Sequence, residues 1–211
     1  MKTRAYDRCY LDDAMEAVGG MLDYAVNACH EDLAEFYHRF LSCGVARAVS
    51  QALPKYMGMS GAELALLVAE RTGCPLPEEA PFVDSASPEF WTGWLLAYLS
   101  WNLDLDFETL QQKGVTVEVV FCSFHPLHEA GLDKAVETAE GWIRESVARE
   151  HPLKRQRKRA GLTQRALADL SGTPLRVIRS YEQGQRSLGS ASVDTVRRIC
   201  RVLACRQEDI L

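Results

Sequence analysis

An all-α protein in two parts is the fold class this sequence predicts, and three observations predict it. Apolar residues recur every three or four positions through most of the 211 residues, the spacing of one helix face. Start and stop residues punctuate those stretches: Ser60 with Glu63, Ser87-Pro88 and Thr163 before them, Gly73, Gly114 and Gly172 after them. The charge is also divided. Residues 151–211 carry 13 Lys/Arg against 5 Asp/Glu, a net +8, whereas residues 1–150 carry 11 against 24, a net −13. The expected layout is an acidic helical domain over 1–150 and a basic domain over 153–211, with only His151-Pro152 between them. A basic module fused to an acidic one points to nucleic acid as the basic part's partner.

In the acidic part, Leu11, Met15, Val18, Leu22 and Val26 form one stripe from Tyr10 to Cys29. Asp12, Asp13, Glu16 and Asp23 are expected on its surface. His30-Glu31-Asp32 leads into a second helix with Leu33, Phe36, Tyr37, Phe40 and Leu41 inside. A short third helix lies between Gly44 and Pro54. Ser60 and Glu63 spell a capping box, in which each side chain bonds the other's backbone N–H; that helix should run to about Thr72. Residues 74–87 read as a loop. Ser87-Pro88-Glu89 then opens a helix with Phe90, Trp91, Trp94, Leu95, Tyr98 and Trp101. Aromatic rows of this kind usually anchor a core. A helix from Asp106 to Lys113 follows. Val115 to Phe124 has strand propensity, but a lone strand has nothing to pair with, so it is read as helical. Leu132 to Arg149 closes the part with Ala135, Ala139, Trp142, Ile143 and Val147 on one stripe.

The basic part holds the most specific pattern. Leu162-Thr163-Gln164-Arg165-Ala166-Leu167-Ala168-Asp169-Leu170-Ser171-Gly172 reads as a capped helix ending in a tight turn. Leu167 and Leu170 mark its apolar side, and Gly172 supplies the positive φ needed to leave it. Thr173 should cap the next helix, with Pro174 in its first turn. That helix turns Ile178 and Tyr181 inward, and Arg176, Arg179, Ser180 and Gln183 fall on the other face. Arginines near the start of such a helix suit the major groove, where a guanidinium bonds both acceptors of guanine.

Residues 153 to 211 resemble the Cro/repressor, or XRE-type, DNA-binding domain. The likeness is carried by Leu162-Thr163-Gln164, Leu167-Ala168, Gly172, Ile178, Glu182, Gly184, a helix from Val193 to Leu203, and the closing Glu208-Asp209-Ile210-Leu211. It implies a five-helix lambda-repressor-like fold for this part. It also implies base contacts from Leu175, Arg176, Arg179 and Ser180, and an internal ion pair of Arg157 with Glu182. Lys154, Thr163, Gln164, Arg165, Gln183, Gln185 and Arg186 are the expected phosphate contacts. Two positions depart from the family pattern: Gln156 stands for an apolar residue, and Leu175 stands for a polar base reader, which favours contact with a thymine methyl. The run Ser87-Pro88-Glu89-Phe90-Trp91-Thr92-Gly93-Trp94, with His128-Glu129-Ala130, also resembles an uncharacterised group of bacterial helix-turn-helix proteins of the same layout.

Other chemistry finds less footing. Cys122, His125 and His128 offer tightly spaced metal ligands, but structural zinc draws on paired, separated knuckles and no second cluster matches. No metal and no cofactor are therefore expected. Gly58-Met59-Ser60-Gly61-Ala62 lacks the last glycine of a nucleophile elbow, and the capping box accounts for Ser60. No enzymatic activity is expected. Seven scattered cysteines, and no apolar leader or span, lead to a cytoplasmic, nucleoid-associated setting with mostly buried free thiols and no membrane contact.

The expected function is sequence-specific binding of double-stranded DNA by a homodimeric transcriptional repressor. The alternative is an antitoxin whose acidic domain neutralises a basic protein partner. A second alternative is an effector sensor or enzyme in the acidic domain, which a cavity lined by Trp91, Trp94, Tyr98 and His128 would favour.

Overall fold

The structure, a computed structural model, describes residues 6–77 and 87–211. It is helical, with no strand among the described residues. Most of the expected 74–87 loop lies outside them. The chain divides into two compact units, Met1–Glu145 and Ser146–Leu211.

The N-terminal unit begins with α1 (Leu11–Asp23), which continues through one π-helical turn, Tyr24–Ala28. Four short segments follow: α2 (Leu33–Ser42), α3 (Val45–Ser50), α4 (Pro54–Met57) and α5 (Gly61–Thr72). Next come α6 (Pro88–Leu103), α7 (Phe107–Gln112), α8 (Val117–Cys122), a bent turn α9 (Phe124–Leu127), and α10 (Leu132–Arg149), which runs on into the second unit. The caps do what their residue types predict. Asp32, Ser60, Ser87, Asp106 and Thr116 each accept a backbone N–H of the turn that follows. At α5 the capping box is complete, the Glu63 carboxylate accepting from Ser60 N at 2.8 Å.

Two helices make the centre. α1 is buried on nearly every side, and α6 buries Leu95, Leu96, Leu99 and Trp101. They cross at Gly19 and Gly93: a Cβ on Gly93 would stand 2.4 Å from the Val18 carbonyl oxygen. α5 meets α1 just as closely, since a Cβ on Gly61 would lie 2.2 Å from the Gly20 carbonyl carbon. Hydrogen at these positions lets backbone pack on backbone, in the manner of small-residue helix crossings. Phe36, Tyr37, Phe40 and Phe107 fill the remaining interior.

Two expectations for this unit, and one for the thiols of both units, need correction. Asp23 is only 1% exposed; Ser87 Oγ and Asn27 Nδ2 (2.8 Å) donate to its carboxylate, which is how a buried acid is tolerated. The aromatic row is only partly core: Trp101 is buried and its Nε1 donates to the Tyr6 carbonyl at 2.8 Å, while Trp91, Trp94 and Tyr98 lie half-buried at the margin. Gly19, Gly93, Val18 and Phe90, not tryptophan, meet at the crossing of α1 with α6. The thiols are not mostly buried either. Cys200 alone is buried, and Cys9, Cys74 and Cys122 are exposed.

The C-terminal unit contains α11 (Pro152–Arg159), α12 (Gln164–Ser171), α13 (Leu175–Glu182) and α14 (Val193–Leu203). The expected fifth helix is a single 3₁₀ turn, Gln207–Asp209. Leu153, Leu167, Ile178, Leu188, Ile199 and Ile210 make its core. Leu170 and Val147, expected inside, are 63% and 44% exposed. α12 already seats Leu167 and Ala168 in the core, so Leu170 falls past the buried arc.

Candidate nucleic-acid interface

Thr163 caps α12, its hydroxyl accepting from Ala166 N at 3.0 Å. Gly172 closes the helix at φ +62°, left-handed backbone that a side chain resists. The start of α13 differs from expectation. Pro174, not Thr173, occupies the N-cap; its carbonyl accepts from Val177 N and Ile178 N. Proline has no donor to lose there. Thr173 is buried with its hydroxyl unpartnered, so this helix begins without a side-chain cap.

One ionic cluster fixes the mutual placement of α11, α12 and α13. Arg157 Nε donates to Glu182 Oε1 at 2.6 Å, and its Nη2 to Glu182 Oε2 at 3.0 Å. The remaining Nη1 donates to the Leu162 carbonyl at 2.7 Å. Gln164 Nε2 adds a third bond to the carboxylate, 2.7 Å to Oε2. Side-chain exposures of 10% for Arg157 and 2% for Glu182 show the pair removed from water. Bidentate geometry plus the two extra bonds satisfies both charges, the condition under which a buried pair is sustained.

With Ile178, Tyr181 and Glu182 turned inward, α13 leaves Arg176 and Arg179 exposed. Neither makes an ion pair or side-chain hydrogen bond among the described residues. Leu175 is half-buried beside the core. Ser180 donates its hydroxyl to the Val177 carbonyl at 2.9 Å, so only its lone pairs remain for a base. Gln183, Gln185 and Arg186 are exposed in the turn beyond α13. Arg165 is exposed on α12, 3.8 Å from Asp169.

Two residues expected at phosphate are already engaged. One Gln164 amide hydrogen goes to Glu182 and the other is left for an acceptor such as phosphate. Lys154 Nζ lies 3.4 Å from Glu150 Oε1, and Lys158 Nζ lies 2.7 Å from the same oxygen. Burial works against the charged Glu150 carboxylate, but Lys158 and Lys154 together outweigh it and hold its pKa below the usual range. The sequence reading passed over this acid. Its signal was there as Glu150, Lys154 and Lys158 at successive four-residue steps; Lys154 and Lys158 share a face of α11, and Glu150 precedes that helix beside its N-cap His151.

A second feature lies in the N-terminal unit. Phe90, Trp91, Trp94, Leu95, Leu127 and His128 line a cavity of about 250 Å³. Tyr98 is not among its walls; its hydroxyl accepts from Asn102 Nδ2 at 3.1 Å.

Residues 153–208 match the family described as helix-turn-helix, and the rest of the chain has no family match. No curated protein and no solved structure matches the chain. The C-terminal unit is an XRE-type helix-turn-helix domain with a Cro/repressor-like all-α fold. The family match supports a DNA-binding transcriptional regulator. Among the described residues no helix is long and apolar enough to cross a membrane.

Proposed function

We propose that this protein is a homodimeric repressor that reads a near-palindromic operator with α13. The observation that carries the reading is the pair of exposed, unpartnered guanidiniums of Arg176 and Arg179 on a helix whose other face is locked by Ile178, Tyr181 and Glu182. Those two read bases. Leu175 meets a thymine methyl, and Ser180 accepts from a base amine through its lone pairs. Thr163, Gln164, Arg165, Gln183, Gln185 and Arg186 position the backbone, with Lys154 joining them once released from Glu150. A single module of this size buries modest surface on DNA, so affinity gains from a second half-site held by a partner copy. The domain over 1–150 supplies dimerisation in this reading.

Genome-wide mapping of bound fragments, followed by sedimentation of the free protein and its complex, tests both halves. The expected result is a two-fold symmetric site and two chains per site. A single asymmetric half-site bound by one chain would overturn the dimer, and salt-insensitive binding would overturn the phosphate assignments.

The cavity beside Trp91, Trp94 and His128 favours a second reading, in which the N-terminal unit also senses an effector. At about 250 Å³ it exceeds the roughly 150 Å³ of an apolar cavity that accepts benzene.

A further inference from the structure

We propose that His125, His128 and Glu129 form a binding site for a divalent transition-metal ion of the zinc, nickel and copper class. Their ligand atoms all lie within 4.8 Å of one another. His128 Nε2 and Glu129 Oε1 are 3.7 Å apart. Metal–ligand bonds of about 2.0–2.2 Å hold neighbouring ligand atoms roughly 3–4 Å apart, so closing the site needs movements of about an ångström. Glu129, whose side chain is 75% exposed, and the exposed His125 are free to make them.

His128 is already set for the task. Its Nδ1 lies 2.7 Å from the Phe124 carbonyl oxygen. A carbonyl only accepts, so Nδ1 carries the hydrogen and Nε2 keeps its lone pair. Metal-binding histidines are held in this way, with the second ring nitrogen donating to a carbonyl that fixes tautomer and orientation. Phe124 stacks on the imidazole at 4.2 Å and 12°, and Trp91 packs edge-on against Phe124 at 5.4 Å. His125 sits in the bend of α9, at φ −94° and ψ 122°, because a residue before proline is kept out of the helical region. That bend brings its ring to 4.7 Å from the ring of His128.

Two imidazoles and one carboxylate suit zinc, nickel and copper; calcium and magnesium prefer all-oxygen shells. Three protein ligands leave coordination positions for water or an added ligand. This departs from the expectation of no metal, which weighed Cys122 with the two histidines: in the structure Glu129, not Cys122, stands in the cluster with them. The inference requires neither the DNA-binding nor the sensor reading.

The test is titration of full-length protein with nickel chloride, in a non-chelating reductant, followed by calorimetry and tryptophan fluorescence. One equivalent should bind and quench emission, since Trp91 is two ring contacts from His128. His128→Gln and Glu129→Gln should each weaken binding more than about tenfold, the least that loss of a supporting partner costs. Cys122→Ser should leave it unchanged. Glu129 is too exposed for its substitution to unfold the chain, and circular dichroism checks this. Absence of one-to-one binding, or binding that survives both His128→Gln and Glu129→Gln, overturns the site. Loss of binding in Cys122→Ser overturns the donor set.

Discussion

Arg157 and Glu182 stand 25 residues apart in sequence and meet in a bidentate, nearly water-free pair that joins the first helix of the C-terminal unit to the end of α13. Because Leu162 and Gln164 share the same two charges, the cluster holds the whole helix-turn-helix in register. Removing one partner strands the other. Glu182→Ala should cost about 3–5 kcal/mol, the usual penalty for orphaning a buried charge. Thermal unfolding should show a lowered midpoint for the C-terminal transition, while the order of preferred operator sequences stays as it was. An unchanged midpoint would mean that the pair does not hold the unit together.

Arg176 and Arg186 should separate when each is changed to alanine. On the proposed assignment, loss of Arg176 removes a base contact, so affinity for the preferred site should fall by about 1–3 kcal/mol and its sequence preference should relax. Loss of Arg186, assigned to a phosphate, should weaken all sequences alike and flatten the salt slope by about one. Binding isotherms on the preferred site and on scrambled DNA distinguish the two; the same uniform loss from both would refute the division of roles.

On the proposed reading, Glu150, which pairs with Lys154 and Lys158, competes with DNA for them. Glu150→Gln frees both ammoniums, so non-specific affinity should rise and the dependence on salt should steepen by about one to two counterions. The pH behaviour follows from the depressed pKa of this carboxylate. Its contribution to stability is present above the ordinary value of 4.5 and is lost as pH falls through the lower folded value. Stability measured below pH 4.5 should therefore decline less steeply in Glu150→Gln than in the parent; parallel curves would show that the two lysines do not hold Glu150.

Gly93 and Gly141 make a contrast within helices. Alanine at Gly141 meets nothing closer than 3.8 Å, so Gly141→Ala should stabilise by up to about 1 kcal/mol through helix propensity. At Gly93 the added carbon collides with the α1 backbone. Overpacking of that kind costs about 1–3 kcal/mol, and Gly93→Ala should lower the midpoint of the N-terminal unit. Denaturant titrations of the two variants should shift in opposite directions; a stabilised Gly93→Ala would contradict the close crossing.

What the sequence determined by itself is local. Ser60 with Glu63, Ser87, Asp106, Thr163, Gly73 and Gly172 set helix ends because capping and positive φ are decided within four residues. The helix-turn-helix was legible for the same reason: Thr163 and Gly172 bound α12, and Ile178 and Tyr181 lie three apart on the inner face of α13. The 3.6-residue period likewise marked Phe36, Tyr37 and Phe40 as interior. Tertiary structure decided whatever depends on a partner distant in the chain. Asp23 is buried because Ser87, 64 residues away, donates to it, and no periodicity reports a hydrogen-bond partner. Nothing in the spacing of Gly19, Gly61 and Gly93 reports that two backbones touch there. Glu129 became a candidate ligand only when the bend at His125-Pro126 brought two imidazoles and a carboxylate together. Periodicity records which face of a helix avoids water; it holds no record of which other helix covers that face.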